Sequence, residues 1–208
     1  DNYMNLGDNF VQEGLAYRIT PFNTKAPGAK NFDTEKTYNN VMNRFKWGGL
    51  DKPGLYIDET VMRMCYTHRH LFATLAMQLI AEGQNAKAEK VLRKSEKVLP
   101  EYNVPYTFMS GASDLARAYA LIGKKADAAC ILNKVWADAK SYADYYLQLT
   151  GSRFMMSQNE VLRQLYIMQN IADMTQACDK NLANKRLKTV NALYAVYQAK
   201  GGTPYQGE

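Results

Sequence analysis

Between residues 72 and 100 the apolar positions recur at spacings of three and four. Leu75, Ala76 and Leu79 mark one stripe, and Ala88, Val91, Leu92 and Leu99 mark another, the period of two amphipathic helices. The stripe breaks at Gly83-Gln84-Asn85, and Pro100 ends the second helix because it lacks the N–H that a further turn needs. Small side chains at Ala76 and Ala88 let the two backbones approach closely. This layout predicts a helical hairpin of the tetratricopeptide kind. The pattern then returns with a period of 40 residues, Gly123 standing where Gly83 stood. In that register Leu75 matches Leu115, Ala76 matches Ala116, Leu79 matches Tyr119, Ala88 matches Ala128 and Leu92 matches Leu132. A repeat of about 34 residues with a longer connector, here carrying Pro105, accounts for the period.

The flanking stretches fill in around these two hairpins. Asp58, followed by Glu59, caps a helix of about 25 residues that runs into the first hairpin. Asp33 caps another through Lys46, with Tyr38, Val41, Met42 and Phe45 on its apolar face. Residues 14–21 alternate in size and polarity and predict a short extended segment ended by Pro21; residues 23–31 predict a loop. Trp47-Gly48-Gly49 breaks the chain, its paired glycines calling for positive φ or a close backbone approach. Residues 141–149 carry Tyr142, Tyr145 and Tyr146 before a break at Gly151. Helices follow over 157–177, on Val161, Leu165, Met168 and Ala172, and over 181–199, on Leu182, Leu187, Val190, Leu193, Tyr194 and Tyr197. They form a third hairpin with a degraded pattern, as terminal capping repeats do. The expected fold is therefore all-α: a tetratricopeptide-like array of about three hairpins over residues 58–200. An irregular segment, 1–57, with one short helix and a short strand packs on it, and 201–208 form a loose tail.

Composition narrows the function more than the fold. The 208 residues are 47% hydrophobic, enough for a core, yet no apolar run reaches the roughly 18 to 20 residues that span a bilayer. The net charge is +6, from 26 Lys and Arg against 20 Asp and Glu. This predicts a mildly basic solvated surface, with attraction to an acidic partner or an anionic membrane face as the functional alternative. Nucleic acid is not expected as a partner, because no compact basic cluster is interleaved with stacking aromatics. The chain opens on Asp1 rather than Met, which suggests a part excised from something longer. Cys65, Cys130 and Cys178 form no CxxC pair and are odd in number, so buried free thiols on helix faces are expected. On composition alone that leans toward a reducing compartment.

Candidate chemistry is sparse. His68 and His70 lie two apart on a helix, so their rings point roughly 200° from each other and cannot share a metal. No HExxH, GxSxG or phosphate-cradling GxxxxGK[ST] occurs, and the carboxylates are scattered. No catalytic residue, metal site or cofactor is expected, and binding is. In stacked repeats the first helix of each pair lines a concave surface. The positions turned outward there are His70, Ala73, Met77 and Ile80 in the first repeat, and Ser110, Ser113, Arg117 and Leu121 in the second. Together they predict a groove for an extended peptide or another domain, with Arg117 and His70 meeting acceptors and Met77 adapting its shape. The alternative is that the third hairpin or the N-terminal segment covers them.

Two stretches carry a family resemblance. Glu13-Gly14-Leu15-Ala16-Tyr17-Arg18-Ile19-Thr20-Pro21 is one, and Asn43-Arg44-Phe45-Lys46-Trp47-Gly48-Gly49-Leu50-Asp51 is the other. Tyr56-Ile57-Asp58-Glu59 and Met62-Arg63-Met64 follow them. They resemble a bacterial family of large multi-pass membrane proteins similar to protein O-mannosyltransferases, of the GT-C glycosyltransferase type, whose C-terminal soluble part is tetratricopeptide-like. The resemblance implies a non-catalytic extramembrane domain on the periplasmic face of the inner membrane. The absent membrane half would carry the lipid-linked sugar donor site, and the partner would be an acceptor protein or that membrane half. It also draws Trp47, Gly48, Gly49 and Asp58 together as a motif turn. Two other readings stand beside it. One is an independent carbohydrate-binding or hydrolytic domain, suggested by 15 tyrosines, two tryptophans and the Tyr142 to Tyr146 cluster. The other is a purely structural or oligomerising module.

Overall fold

In the computed structural model, residues 6–203 are described. They form an all-α fold with a small two-stranded sheet near the N-terminus. The chain divides into two compact units, Asp1–Pro105 and Tyr106–Glu208. That boundary falls between the two matched hairpins, inside the span that the hydrophobic pattern treats as one array.

In the first unit, strands β1 (Phe10–Gln12) and β2 (Tyr17–Ile19) pair antiparallel, Val11 opposite Arg18. Helix α1 (Thr34–Asn39) follows, then α2 (Glu59–Ala81) and α3 (Asn85–Val98). Asp58 caps α2 as its sequence position predicts, its carboxylate accepting from the Val61 N–H at 3.0 Å. Leu75, Ala76 and Leu79 of α2 and Ala88, Val91 and Leu92 of α3 are all buried, each large one contributing about 1.5 to 3 kcal/mol of apolar burial. The turn between them is a Schellman motif. Gly83 sits at φ +76°, its N–H donates to the Ile80 carbonyl at 3.0 Å and the Gln84 N–H to the Leu79 carbonyl at 2.7 Å.

The second unit repeats that hairpin. Helices α4 (Ala112–Leu121) and α5 (Lys125–Gln148) meet at Gly123, φ +79°, where the Gly123 N–H donates to Ala120 and the Lys124 N–H to Tyr119. Leu115, Ala116, Tyr119, Ala128 and Leu132, the matched positions, are all buried. Helix α6 (Gly151–Met156) leads into α7 (Gln158–Thr175) and α8 (Lys180–Ala199). α5 lies at the centre, packed against α4, α6, α7 and α8. The α7–α8 turn has no glycine. Asp179 closes it instead, its carboxylate accepting from the Asn181 and Leu182 N–H groups.

Several expectations change. The helix over 33–46 is only α1, running into a π-helical segment, Asn40–Arg44, in which the Phe45 N–H reaches the Asn40 carbonyl. Contacts distant in sequence hold that segment: its own Asn40 Nδ2 donates to the Glu13 carbonyl, and Lys94 Nζ donates to Met42 O at 2.6 Å. Strand β1 and helix α6 have no counterpart in the periodicity, and α5 runs unbroken through the tyrosine cluster to Gln148. Cys130 is exposed rather than buried, because it lies two residues past buried Ala128 and so turns to the opposite side of α5. Cys65 is buried as expected and Cys178 half-buried. The tail is not loose where it begins: Tyr197 Oη donates to the Thr203 carbonyl at 2.7 Å, and Thr203 Oγ1 donates to Gln158 at 3.1 Å. Its end, 204–208, lies outside the described residues. Among the described residues no helix is long and apolar enough to cross a membrane.

Candidate functional site

The second unit carries an open cleft of about 540 Å³, within the size range of ligand sites. Leu132 of α5 forms part of its base. One wall comes from α4, where Ser113, Arg117 and Leu121 fall at successive four-residue steps and therefore share a face. The other comes from the C-terminal half of α7 and the turn after it, with Asn170, Asp173, Met174 and Ala177. Alanines 116 and 120 keep the α4 wall thin, so the cleft gains depth without losing helix propensity.

The cleft is apolar inside and polar at its edge. Leu121 stands 54% exposed at the end of α4, a position where an apolar side chain gains nothing from folding. Met174 brings an adaptable thioether to the facing wall. Asp114, Arg117 and Asp173 bring charges of both signs. Ser113 Oγ is buried and has no hydrogen-bond partner among the described residues, which leaves a polar atom unsatisfied at the cleft wall. Arg186, buried on α8, fixes the far wall: it donates to Thr175 Oγ1 at 2.5 Å and Asn133 Oδ1 at 2.6 Å, and its guanidinium lies 4.9 Å from the Trp136 ring. Burial lowers its pKa from the usual arginine value, but an arginine remains a cation.

The structure brings together three of the expected groove residues, Ser113, Arg117 and Leu121. Ser110 is not with them. It is wholly buried, its hydroxyl accepting from the Thr107 N–H and donating to the Thr107 carbonyl ahead of α4. In the first unit, His70 is exposed, Met77 and Ile80 are half-buried, and Ala73 is buried, so its methyl reaches no surface. The cavity on that helix is lined by the next stripe round, Thr74 and Gln78. Asn170, Asp173 and Met174 were not foreseen as site residues. They sit on the polar side of α7, and periodicity along one helix does not say which other helix its polar side will face.

The motif turn is structural in its contacts. Gly48 and Gly49 both have positive φ, +60° and +81°, as their pairing predicts. Trp47 stacks on Phe72 at 5.2 Å, and His68 stands edge-on to Trp47 at 5.5 Å. His68 thus lies half-buried in an aromatic cluster rather than open to solvent, because the turn folds back over α2. Asn103 Nδ2 donates to the Leu50 and Lys52 carbonyls, and Tyr102 Oη donates to the Asp51 carbonyl. Of the aromatic features that suggested sugar stacking, Trp136 packs on Arg186 and Tyr146 packs into the core around Leu147, while Tyr142 and Tyr145 stand exposed on α5. The chain matches no family model, no curated protein and no solved structure.

Proposed function

We propose that this chain is a protein-binding domain whose second unit docks a polypeptide segment in the α4–α7 cleft. The observation that carries the proposal is the exposure of Leu121 beside Arg117 on one face of α4, opposite Met174. An apolar anchor on a bound segment would cover Leu121 and Met174. Backbone polar groups beside the anchor would meet the Asn170 amide, and rim charges would set orientation more than affinity. In the setting that the Trp47-Gly48-Gly49 and Gly14–Pro21 motifs suggest, the hairpins are of the tetratricopeptide kind. The domain then belongs to a periplasmic-facing, membrane-bound glycosyltransferase-like parent, and the docked segment belongs to an acceptor protein or to the parent's own membrane half.

Peptide-array binding to the chain and to Leu121→Asp tests the proposal. Peptides with a single bulky apolar residue flanked by polar ones should bind the native chain and lose at least about tenfold in affinity on Leu121→Asp, or about 1.4 kcal/mol. Circular dichroism should be unchanged, since Leu121 is exposed at a helix end. Equal binding to both proteins would refute the cleft as the docking site.

A further inference from the structure

A second cavity, of about 480 Å³, lies in the first unit. One wall is a single face of the β-hairpin. Gln12 and Tyr17 are opposite partners across the two strands, and Phe10 lies two residues from Gln12, so the three side chains project together. The facing wall is α2, where Thr74 and Gln78 lie one turn apart. The loop between β2 and α1 closes the end with Thr24, Lys25 and Asn31, over a buried Phe32. The Tyr17 ring is 61% exposed, and Phe10 packs edge-on against it at 6.2 Å, which braces the ring without covering both of its faces.

The lining selects a ligand class. Its one charged side chain, Lys25, is 2.5 Å from the Asp8 carboxylate, so the cavity presents no uncompensated charge to a phosphate or carboxylate. What remains is neutral: amides on Gln12, Asn31 and Gln78 and a hydroxyl on Thr74, set against aromatic surface. Planar amides offer a donor and an acceptor side by side, the pattern that neighbouring ring hydroxyls offer in return. Gln12 is already oriented, its Nε2 donating to the Gly14 carbonyl at 2.9 Å. A purely apolar ligand would leave the amides unpaired, at a cost, and an anionic one would have to compete with Asp8 for Lys25. We infer that this cavity is a carbohydrate site that takes a neutral pyranose unit, its C–H face stacked on Tyr17 and its hydroxyls bonded to Asn31, Thr74 and Gln78. The volume suits one or two sugar rings rather than a long chain.

The sugar has two sources, a free glycan or the glycan of a glycosylated polypeptide. Nuclear magnetic resonance titration of the whole chain separates them, with a panel of neutral methyl glycosides and disaccharides in one arm. The other arm uses a short peptide with and without an O-linked hexose. At least one neutral sugar should shift the Asn31 and Gln78 side-chain amide signals. Tyr17→Ala should weaken that binding by about tenfold, and Thr74→Val, which keeps the shape and removes the hydroxyl, by about fivefold. Tyr56→Ala removes an aromatic ring that is 94% exposed and outside the cavity, and should change nothing. Shifts with the glycopeptide but not with the bare peptide or the free sugars place the glycan on a polypeptide; shifts with free sugars alone place it on a free glycan. Absence of shifts across both arms overturns the inference. So does equal weakening by Tyr56→Ala, or binding that survives both Tyr17→Ala and Thr74→Val in variants with native thermal melts. Leu121→Asp leaves this titration untouched, so the outcome is independent of the α4–α7 cleft.

Discussion

The guanidinium of Arg69, wholly buried on α2, donates to the Val104 carbonyl at 2.6 Å. It also donates to the Leu99 carbonyl at 3.0 Å and the Pro105 carbonyl at 3.1 Å. One side chain thereby satisfies three carbonyls of the connector that follows α3, where no helix supplies N–H partners. A lysine places one compact charge where the planar fork reached three acceptors. Arg69→Lys should therefore destabilise the first unit by about 2 to 4 kcal/mol. Urea denaturation followed by helix signal measures it, and a change below 1 kcal/mol would show that the connector does not depend on this residue.

The two Schellman turns make a matched experiment. A Cβ built at Gly83 or at Gly123 meets nothing within 4 Å, so crowding plays no part there, and φ is +76° and +79° respectively. Alanine at either site then costs only the left-handed backbone penalty, roughly 1 to 2 kcal/mol. The two costs should agree within about 0.5 kcal/mol. Asparagine, which tolerates that region better, should cost less at both. Thermal melts of the four variants check this; a large inequality would mean that the hairpins are not equivalent units.

Glu82, just past α2, gives stability a pH signature. Its carboxylate accepts from Thr34 Oγ1 at 2.9 Å, which is the main reason that its pKa is held below the usual carboxylate value, with Lys30 and Gln84 adding to it. A carboxyl with a depressed folded pKa stabilises above its unfolded pKa, and that contribution disappears as pH falls through the folded value. Glu82→Gln should thus lower stability at pH 7 by no more than about 1 kcal/mol, since solvent screens the site. The difference should shrink at acidic pH and vanish once the folded-state carboxyl is protonated. Paired melts at pH 7 and at acidic pH decide it, and an equal loss at both would assign the effect to packing.

Much of the fold was legible because local and tertiary signals agree. Leu75, Leu79, Leu92 and their partners Leu115, Tyr119 and Leu132 are buried in the register that the two glycines set. What was hidden depends on contacts distant in sequence. The π-helical turn at Asn40–Arg44 is held by Lys94 and by the Glu13 carbonyl, and no window around residue 40 contains either. Half of the candidate cleft was legible for the same reason that α4 was: its outward stripe ends in Arg117 and Leu121. The other half, on α7, required knowing that α4 and α7 both pack on α5. Ala73 and Ser110 also mark a limit of pattern reading, since an outward position on a helical wheel is outward only if nothing else covers it.

Photo-crosslinking from within the cleft is the most direct test of the docking claim. A photoreactive residue at Leu121, and in a parallel variant at Tyr166, which is 65% exposed on α7 but lines no part of the cleft, would be irradiated in the whole protein in its native cell. Docking predicts one dominant product from Leu121, mapping by mass spectrometry to a single short segment of one polypeptide and shifted in its crosslinked position on Arg117→Glu, with no such product from Tyr166. The same products from both positions, or none from Leu121, would contradict it.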